Sequence, residues 1–274
     1  HPDYHEITRG GQSVSHRLCY AIPDVQQERL NILLEAQRIG AHGLLLDFCR
    51  QMPLLGYHPA LLDPYMERTG EDPRRIDSND PADYERWFQH RADVMTRFMR
   101  ALRESVRQQE ALSGRPCPIL ARVPDSPRWL CLGYGLDVDT WAAEDLIDGT
   151  MIDPFPYLEP SPEFDTPFHV QTMHQHGKYC IGNIGTNRLI PRTFGEELGR
   201  LEQVFNLAQQ QYDAGVDGMS LYQSEQVLRS KRVRHVVEKL GDRQTVAQNA
   251  TGPYERDPDW IGCDWHAKGL APAY

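Results

Sequence analysis

Several apolar runs in this sequence are closed by a carboxylate. Asp47 ends GLLLD, Asp153 ends GTMID, Asp125 follows ILARVP, and Glu225 follows GMSLYQS. Brought together, such groups can do nucleophilic and acid–base work. Hydrolysis of a glycosidic bond uses two carboxyl groups, one ionised and one protonated at the outset. A separation of about 5–5.5 Å suits a retaining enzyme and about 6.5–9.5 Å an inverting one. Asp47 is the central candidate, as nucleophile or charge stabiliser. A charge at the end of an apolar strand is costly unless it is paired. Arg50, three residues on, and Arg122, inside ILARV, are the available cations. The plainer reading of the same residues is a structural ion pair closing the end of the strand.

Glu225 is the first choice for the acid, because its side chain is one methylene longer than that of Asp and its ordinary pKa slightly higher. Asp153 is the second choice and Asp125 the third. Each has a structural alternative. Glu225 also suits the first turn of a helix, and both aspartates stand next to turn-forming prolines. Tyr57, Trp129, Phe155, Tyr157 and Tyr222 lie after apolar runs, where a ring can stack on a sugar or simply pack. Asn183 and Asn187 in GNIGTN can bind hydroxyls or cap a turn. Arg50, Arg122 and Asp125 join Tyr57, Asn183 and Tyr222 as expected substrate contacts.

Other chemistries are poorly served. The chain has 11 histidines, but His174-Gln175-His176 falls at a helix end before a strand, away from the carboxylates, so no metal is expected. No cofactor is called for. GNIGTN lacks the third glycine of a dinucleotide turn, and no GxSxG occurs. The six cysteines form no CxxC pair, which argues against a zinc knuckle or a dense disulfide scaffold.

Such residues need a scaffold. The sequence predicts helices over 24–38, 81–112, 194–213 and about 224–239. It predicts strands over 43–48, 119–123, 149–153, 179–184 and 215–222. The strands are apolar runs without period-two alternation, as in parallel strands buried on both faces. A Pro-, Asp- and Arg-rich stretch, 50–79, reads as a long irregular insertion that shapes the site. Residues 241–274 show no period, but Trp260 and Trp265 imply a packed tail. The expected division is therefore a catalytic-type domain over 1–240 and a tail over 241–274. Candidate groups at the ends of several strands favour a (β/α)8 barrel over a doubly wound sheet.

Four segments carry a family resemblance: YAIPDVQQERL, GAHGLLLDFCRQMP, RTGEDPRRID and RVPDSPRWLCLGYGLDVDTWAAEDLID. They resemble the planctomycete-type glycosyl-hydrolase-like barrel proteins near glycoside hydrolase family 10, over roughly residues 1–235. In that group a P-E-V-R helix start precedes a D-G-(I/L)-x-L-D-F-x-R strand, usually the fourth of the barrel. This chain departs at Asp24, Gln26 and His42, which are structural positions. The resemblance implies a TIM-type (β/α)8 barrel, incomplete at its N-terminus, with strands 4 to 8 present. It also implies a carbohydrate substrate and a secreted or periplasmic setting. A non-catalytic carbohydrate-binding or scaffold barrel is the alternative.

The bulk composition fits an ordinary globular domain, with 274 residues, 40% hydrophobic and 25% charged. A net charge of -10 argues against nucleic acid or an anionic membrane as partner. No apolar run is long enough to span a bilayer. The chain opens on His1 with no signal peptide, so a removed leader or a piece of a longer protein is expected. The sequence does not indicate an oligomeric state.

Overall fold

The computed structural model describes residues 1–49, 54–76, 81–153, 164–185, 197–222 and 231–254. It opens with a short antiparallel hairpin, β1 (His5–Ile7) and β2 (Ser13–Leu18). Five parallel strands follow: β3 (Leu44–Asp47), β4 (Ile119–Pro124), β5 (Gly149–Asp153), β6 (Tyr179–Gly185) and β7 (Gly218–Tyr222). They pair in chain order, each with the next. The helices are α1 (Pro23–Arg38), α2 (Pro59–Thr69), α3 (Pro81–Ser113), α4 (Arg128–Tyr134), α5 (Val138–Ala143), α6 (Thr166–Gln175), α7 (Glu197–Ala214), α8 (Lys231–Leu240) and α9 (Arg243–Asn249). The protein is thus an α/β structure whose parallel sheet is flanked by helices, and the five predicted strands are present in the predicted order.

The strand register sorts side chains into two faces, because successive residues point to opposite sides. Leu44, Leu46, Ile119, Ala121, Val123, Thr150, Ile152, Cys180 and Ile184 fall on one face and are buried. Helices cover this face. A side chain added at Gly182, on the same face, would run into Gln211 of α7. The second face starts apolar where the strands begin, with Leu45, Leu120, Met151, Tyr179 and Ile181. Here Leu45 is 49% exposed and Tyr179 64% exposed. Toward the strand ends this face turns polar.

Elsewhere the structure differs from the sequence reading. The stretch 50–79, expected to be irregular, contains α2 and a 3-10 turn at Pro73–Arg75. Two prolines disguise the helix. Pro59 suits its first turn, whereas Pro64 lies inside and removes one backbone bond. Burial of Leu61, Leu62 and Tyr65 offsets that loss, and left-handed Gly70 closes the end with its N–H on Met66 O at 2.8 Å. The 241–274 tail, expected to be irregular, begins with α9. Asp242 caps it by accepting from Thr245 N at 2.7 Å, and Val246 is fully buried. The hairpin was also not foreseen. Glu6 of β1 accepts from Gly56 N at 2.7 Å, and Ile7 O accepts from Tyr57 N at 2.7 Å. These bonds fasten the hairpin to the segment that leaves β3. Trp260 and Trp265 lie outside the described residues, as do Phe155, Tyr157 and Asn187.

Gly149 tests the sheet packing. A Cβ there would sit 2.6 Å from Tyr179 O and 3.1 Å from both Leu120 Cδ2 and Tyr179 Cβ. The nearest obstacle is backbone, so β5 and β6 must separate to make room. Gly149→Ala is expected to lower stability by about 1–3 kcal/mol, read from the urea midpoint at unchanged slope. A neutral outcome would contradict the β5–β6 pairing described.

Candidate functional site

The polar half of the second face is a row across the strand ends: Asp47 on β3, Arg122 on β4, Asp153 on β5, Asn183 on β6 and Ser220 on β7. Register places them together. Asp47 pairs with Arg122, Pro124 with Asp153, and Asn183 with Ser220. Asp153 and Asn183 each lie two residues past the Met151–Ile181 pair, so they are neighbours on the same side. The strands end here, and in parallel α/β sheets that end is where ligands bind.

Arg122 organises the row. Its Nη1 donates to both oxygens of Asp47, at 2.9 and 2.8 Å, and its Nη2 donates to Asp153 Oδ2. Arg122 and Asp153 are buried, whereas the Asp47 side chain is 35% exposed. Asp47 Oδ1 also accepts from Cys49 N at 3.0 Å, which turns the chain as it leaves β3. The sequence expectation that Arg122 pairs with Asp47 is met, with Asp153 as a second partner. Arg50, the nearer cation in sequence, lies outside the described residues.

Asn183 and Ser220 continue the row. Asn183 is fully buried, and its Oδ1 accepts from Ser220 Oγ at 2.9 Å. Behind it, on the helix-covered side, Gln211 Nε2 donates to Asn183 O at 3.4 Å through the space left by Gly182. Ser220 was missed in the sequence. Its signal was there in the alternation of MSLY, which puts Ser220 and Tyr222 on one face. Tyr222 ends β7, but its side chain lies outside the described set, and so does Glu225.

Two other candidates go elsewhere. Tyr57 is buried, stacked on Trp87 of α3 with centroids 5.6 Å apart, and the Arg91 guanidinium lies 5.0 Å from its ring centroid. Its contacts are with α3 and β1. Asp125 turns away from Arg122 toward the first turn of α6. There Oδ2 accepts from Thr166 Oγ1 at 2.6 Å, while the Asp125 N–H donates to Asp153 O at 2.8 Å. His169 of α6 is equally buried and meets Ser126 O at 3.1 Å through Nε2. Trp129 in α4 is 55% exposed. His174 meets Asp217 at 3.1 Å, at the edge where the strands begin. Among the described residues no group of three or more His, Cys, Asp or Glu is placed to hold a metal ion. The described cysteines, Cys19, Cys49, Cys117, Cys131 and Cys180, are buried thiols outside any disulfide.

No protein-family model matches the chain, and no curated protein sequence matches it. Among the described residues no helix is long and apolar enough to cross a membrane.

Asp125 and His169 shape the pH dependence of stability in opposite senses. Burial pushes the Asp125 carboxyl up to about 7, against opposing hydrogen bonds from Thr166 and the Asp165 backbone. Burial pushes the His169 imidazole down to about 4. A carboxyl raised from 3.8 contributes stability that is present below about 4 and lost as pH rises toward 7. A histidine lowered from 6.5 contributes stability that is present above 6.5 and lost as pH falls toward 4. Asp125→Asn removes the first effect and unmasks the second. The variant is expected to gain stability from pH 4 to 6.5 and to exceed the native chain at pH 8 by a few kcal/mol, at ~1.4 kcal/mol per pKa unit. Urea midpoints at pH 4.5, 6.5 and 8 read this directly. A variant weaker than the native chain at pH 8 would refute it.

Proposed function

We propose that this protein acts on carbohydrate, with the row from Asp47 to Ser220 as its sugar site, and that its five strands are consecutive strands of a (β/α)8-type barrel wall. The observation that supports this most is the single-face alignment. Five adjacent parallel strands each place a polar residue on the same face at their C-terminal ends, above an apolar floor. Barrel enzymes build their sites from such residues. The sequence segments that resemble the glycosyl-hydrolase-like barrel proteins add the choice of chemistry.

The reaction proposed is hydrolysis of a glycosidic bond. Asp47, the more exposed carboxylate, is the group that meets the anomeric carbon, as nucleophile or as stabiliser of the developing positive charge. Arg122 fixes its position from below. Asp153 is ion-paired to Arg122 inside the wall, so it suits positioning better than proton donation. The acid role then falls to Glu225, which the sequence places just after β7. One observation favours the second reading, a non-catalytic sugar-binding barrel. Both described carboxylates of the row are engaged by one guanidinium, and a satisfied ion-pair network is also what a purely structural site looks like.

The two readings separate in a single assay series. The full chain is incubated with aryl glycosides and with neutral polysaccharides, and released aglycone or reducing ends are measured beside glycan binding. In the catalytic reading Asp47→Asn loses turnover by at least on the order of a thousandfold, with the melting temperature within a few degrees because the amide still accepts from Arg122. Binding without turnover in the native chain selects the second reading. Turnover that survives Asp47→Asn removes Asp47 from the mechanism.

A further inference from the structure

Asn183 carries an observation that neither packing nor the ion-pair network explains. Its side chain is fully buried, and its Nδ2 has no hydrogen-bond partner among the described residues. A buried amide donor without an acceptor is destabilising, so such groups are rare in native interiors. The amide is nevertheless held firmly. Ser220 Oγ donates to its Oδ1 at 2.9 Å, which turns Nδ2 away from β7. Gln211 Nε2 holds the Asn183 carbonyl at 3.4 Å from the helix side. Gly182 makes that hold possible, because any side chain there would meet Gln211 and, at 2.9 Å, Met219 Sδ. Asn183 is thus fixed from two directions, with one donor unsatisfied among the described residues.

The charge around that donor decides what can meet it. Two carboxylates, Asp47 and Asp153, stand against one guanidinium, Arg122, so the described row carries a net charge of one negative unit. Among the described residues of the row the cation is Arg122, and it is turned toward Asp47 and Asp153. An anionic ligand group would therefore face repulsion from the nearer carboxylate, Asp153, and the described residues of the row offer it no further cation. A cation would meet the positive end of the Asn183 N–H. A hydroxyl fits both neighbours, because it accepts from the amide and donates to a carboxylate or to Ser220 Oγ. Ser220 is half-buried and Asp47 is 35% exposed, so the two ends of the row are open to a ligand.

We infer that the Asn183–Ser220 pair recognises an uncharged hydroxyl of the ligand, so that the site takes neutral sugars and rejects uronic and sulfated ones. This rests on the carbohydrate reading above and narrows it. Gln211 is a positioning residue here. It reaches the ligand only through Asn183, whose carbonyl it holds. The unsatisfied donor also predicts how the site treats stability. Asn183→Leu keeps the volume and removes a buried amide donor that no described residue pairs, so the variant melts at the native temperature or above it. A residue retained only for structure would show a loss.

The experiment measures binding of the full chain to neutral oligomers of glucose, xylose, mannose and galactose, beside oligomers of glucuronic and galacturonic acid, by calorimetry. The inference expects a neutral series to bind at least about tenfold tighter than its acidic counterpart. It expects Asn183→Leu to weaken that binding by about tenfold or more, the loss of one well-placed hydrogen bond in a protected site, at an undiminished melting temperature. Ser220→Ala, at a half-buried position that tolerates change, is expected to weaken binding severalfold by freeing the amide to rotate, and it decides the matter if Asn183→Leu does not fold. Preference for the acidic series, or native affinity in both variants, overturns the inference while leaving carbohydrate binding in place. Absence of binding to any of these glycans overturns the inference and the carbohydrate reading together.

Discussion

A guanidinium buried inside a β-sheet sets the terms for everything around it. Arg122 sits in the middle of β4 with almost no exposure. Its desolvation is tolerable only if its donors meet acceptors of opposite charge, and removing one partner of such a buried pair is strongly destabilising. The partners come from the two strands beside it, Asp47 on β3 and Asp153 on β5. This ties three strands to one alignment. A slip of one residue in either pairing would carry an aspartate to the helix-covered face and leave the guanidinium alone. The apolar residues nearer the strand starts tolerate exchange among themselves, whereas the buried guanidinium needs an acceptor on each neighbouring strand. The network therefore specifies register more than it adds stability.

The two sides of the sheet hold carboxylates in different surroundings. On the second face, Asp47 and Asp153 face a cation. On the helix-covered side, Asp125 faces Thr166 and the start of α6 with no cation in contact among the described residues, and burial keeps its proton on to about 7. The same packing holds His169 uncharged down to about 4. Separating a charged network from a neutral one across a single strand lets the polar row sit directly against a dry helix layer. Backbone bonds such as Asp125 N to Asp153 O join the two sides mechanically, while the charges remain on one of them.

The strands were legible because each is an apolar run too short for a helix and bounded by turn residues. Their order followed from the βαβ alternation. The ion pair was legible in part. Proximity in sequence pointed to Arg50 and the cost of burying Arg122 pointed to Asp47, but only strand pairing brings Asp153 to the same guanidinium. Asp125 was read as a strand-end group like the others. It stands one residue past Pro124, and that odd offset turns it to the helix side. Tyr57 followed an apolar run, yet the hairpin over it and Trp87 beneath it make it core. Helix α2 was hidden by Pro64, and α9 by its short length. Ser220 escaped because a serine inside an apolar strand carries no signal until its neighbour across the pair is known to be Asn183.

A structural role explains the row incompletely. Were Asp47, Arg122 and Asp153 present only to hold the strands, well-packed apolar side chains of similar volume would serve as well or better, since buried ion pairs are often neutral or unfavourable against such replacements. Asn183 sharpens the point. Its amide is buried, oriented by Ser220, steadied by Gln211 through a glycine, and left with a donor that no described residue meets. A buried amide donor that no described residue pairs lowers stability relative to a leucine. Stability given up in several adjacent positions, on one face, at the end of the sheet where ligands bind, is the pattern expected where a fold is shaped around a polar ligand rather than around itself. In the proposed carbohydrate reading, a ligand hydroxyl would supply the acceptor that Asn183 Nδ2 lacks among the described residues.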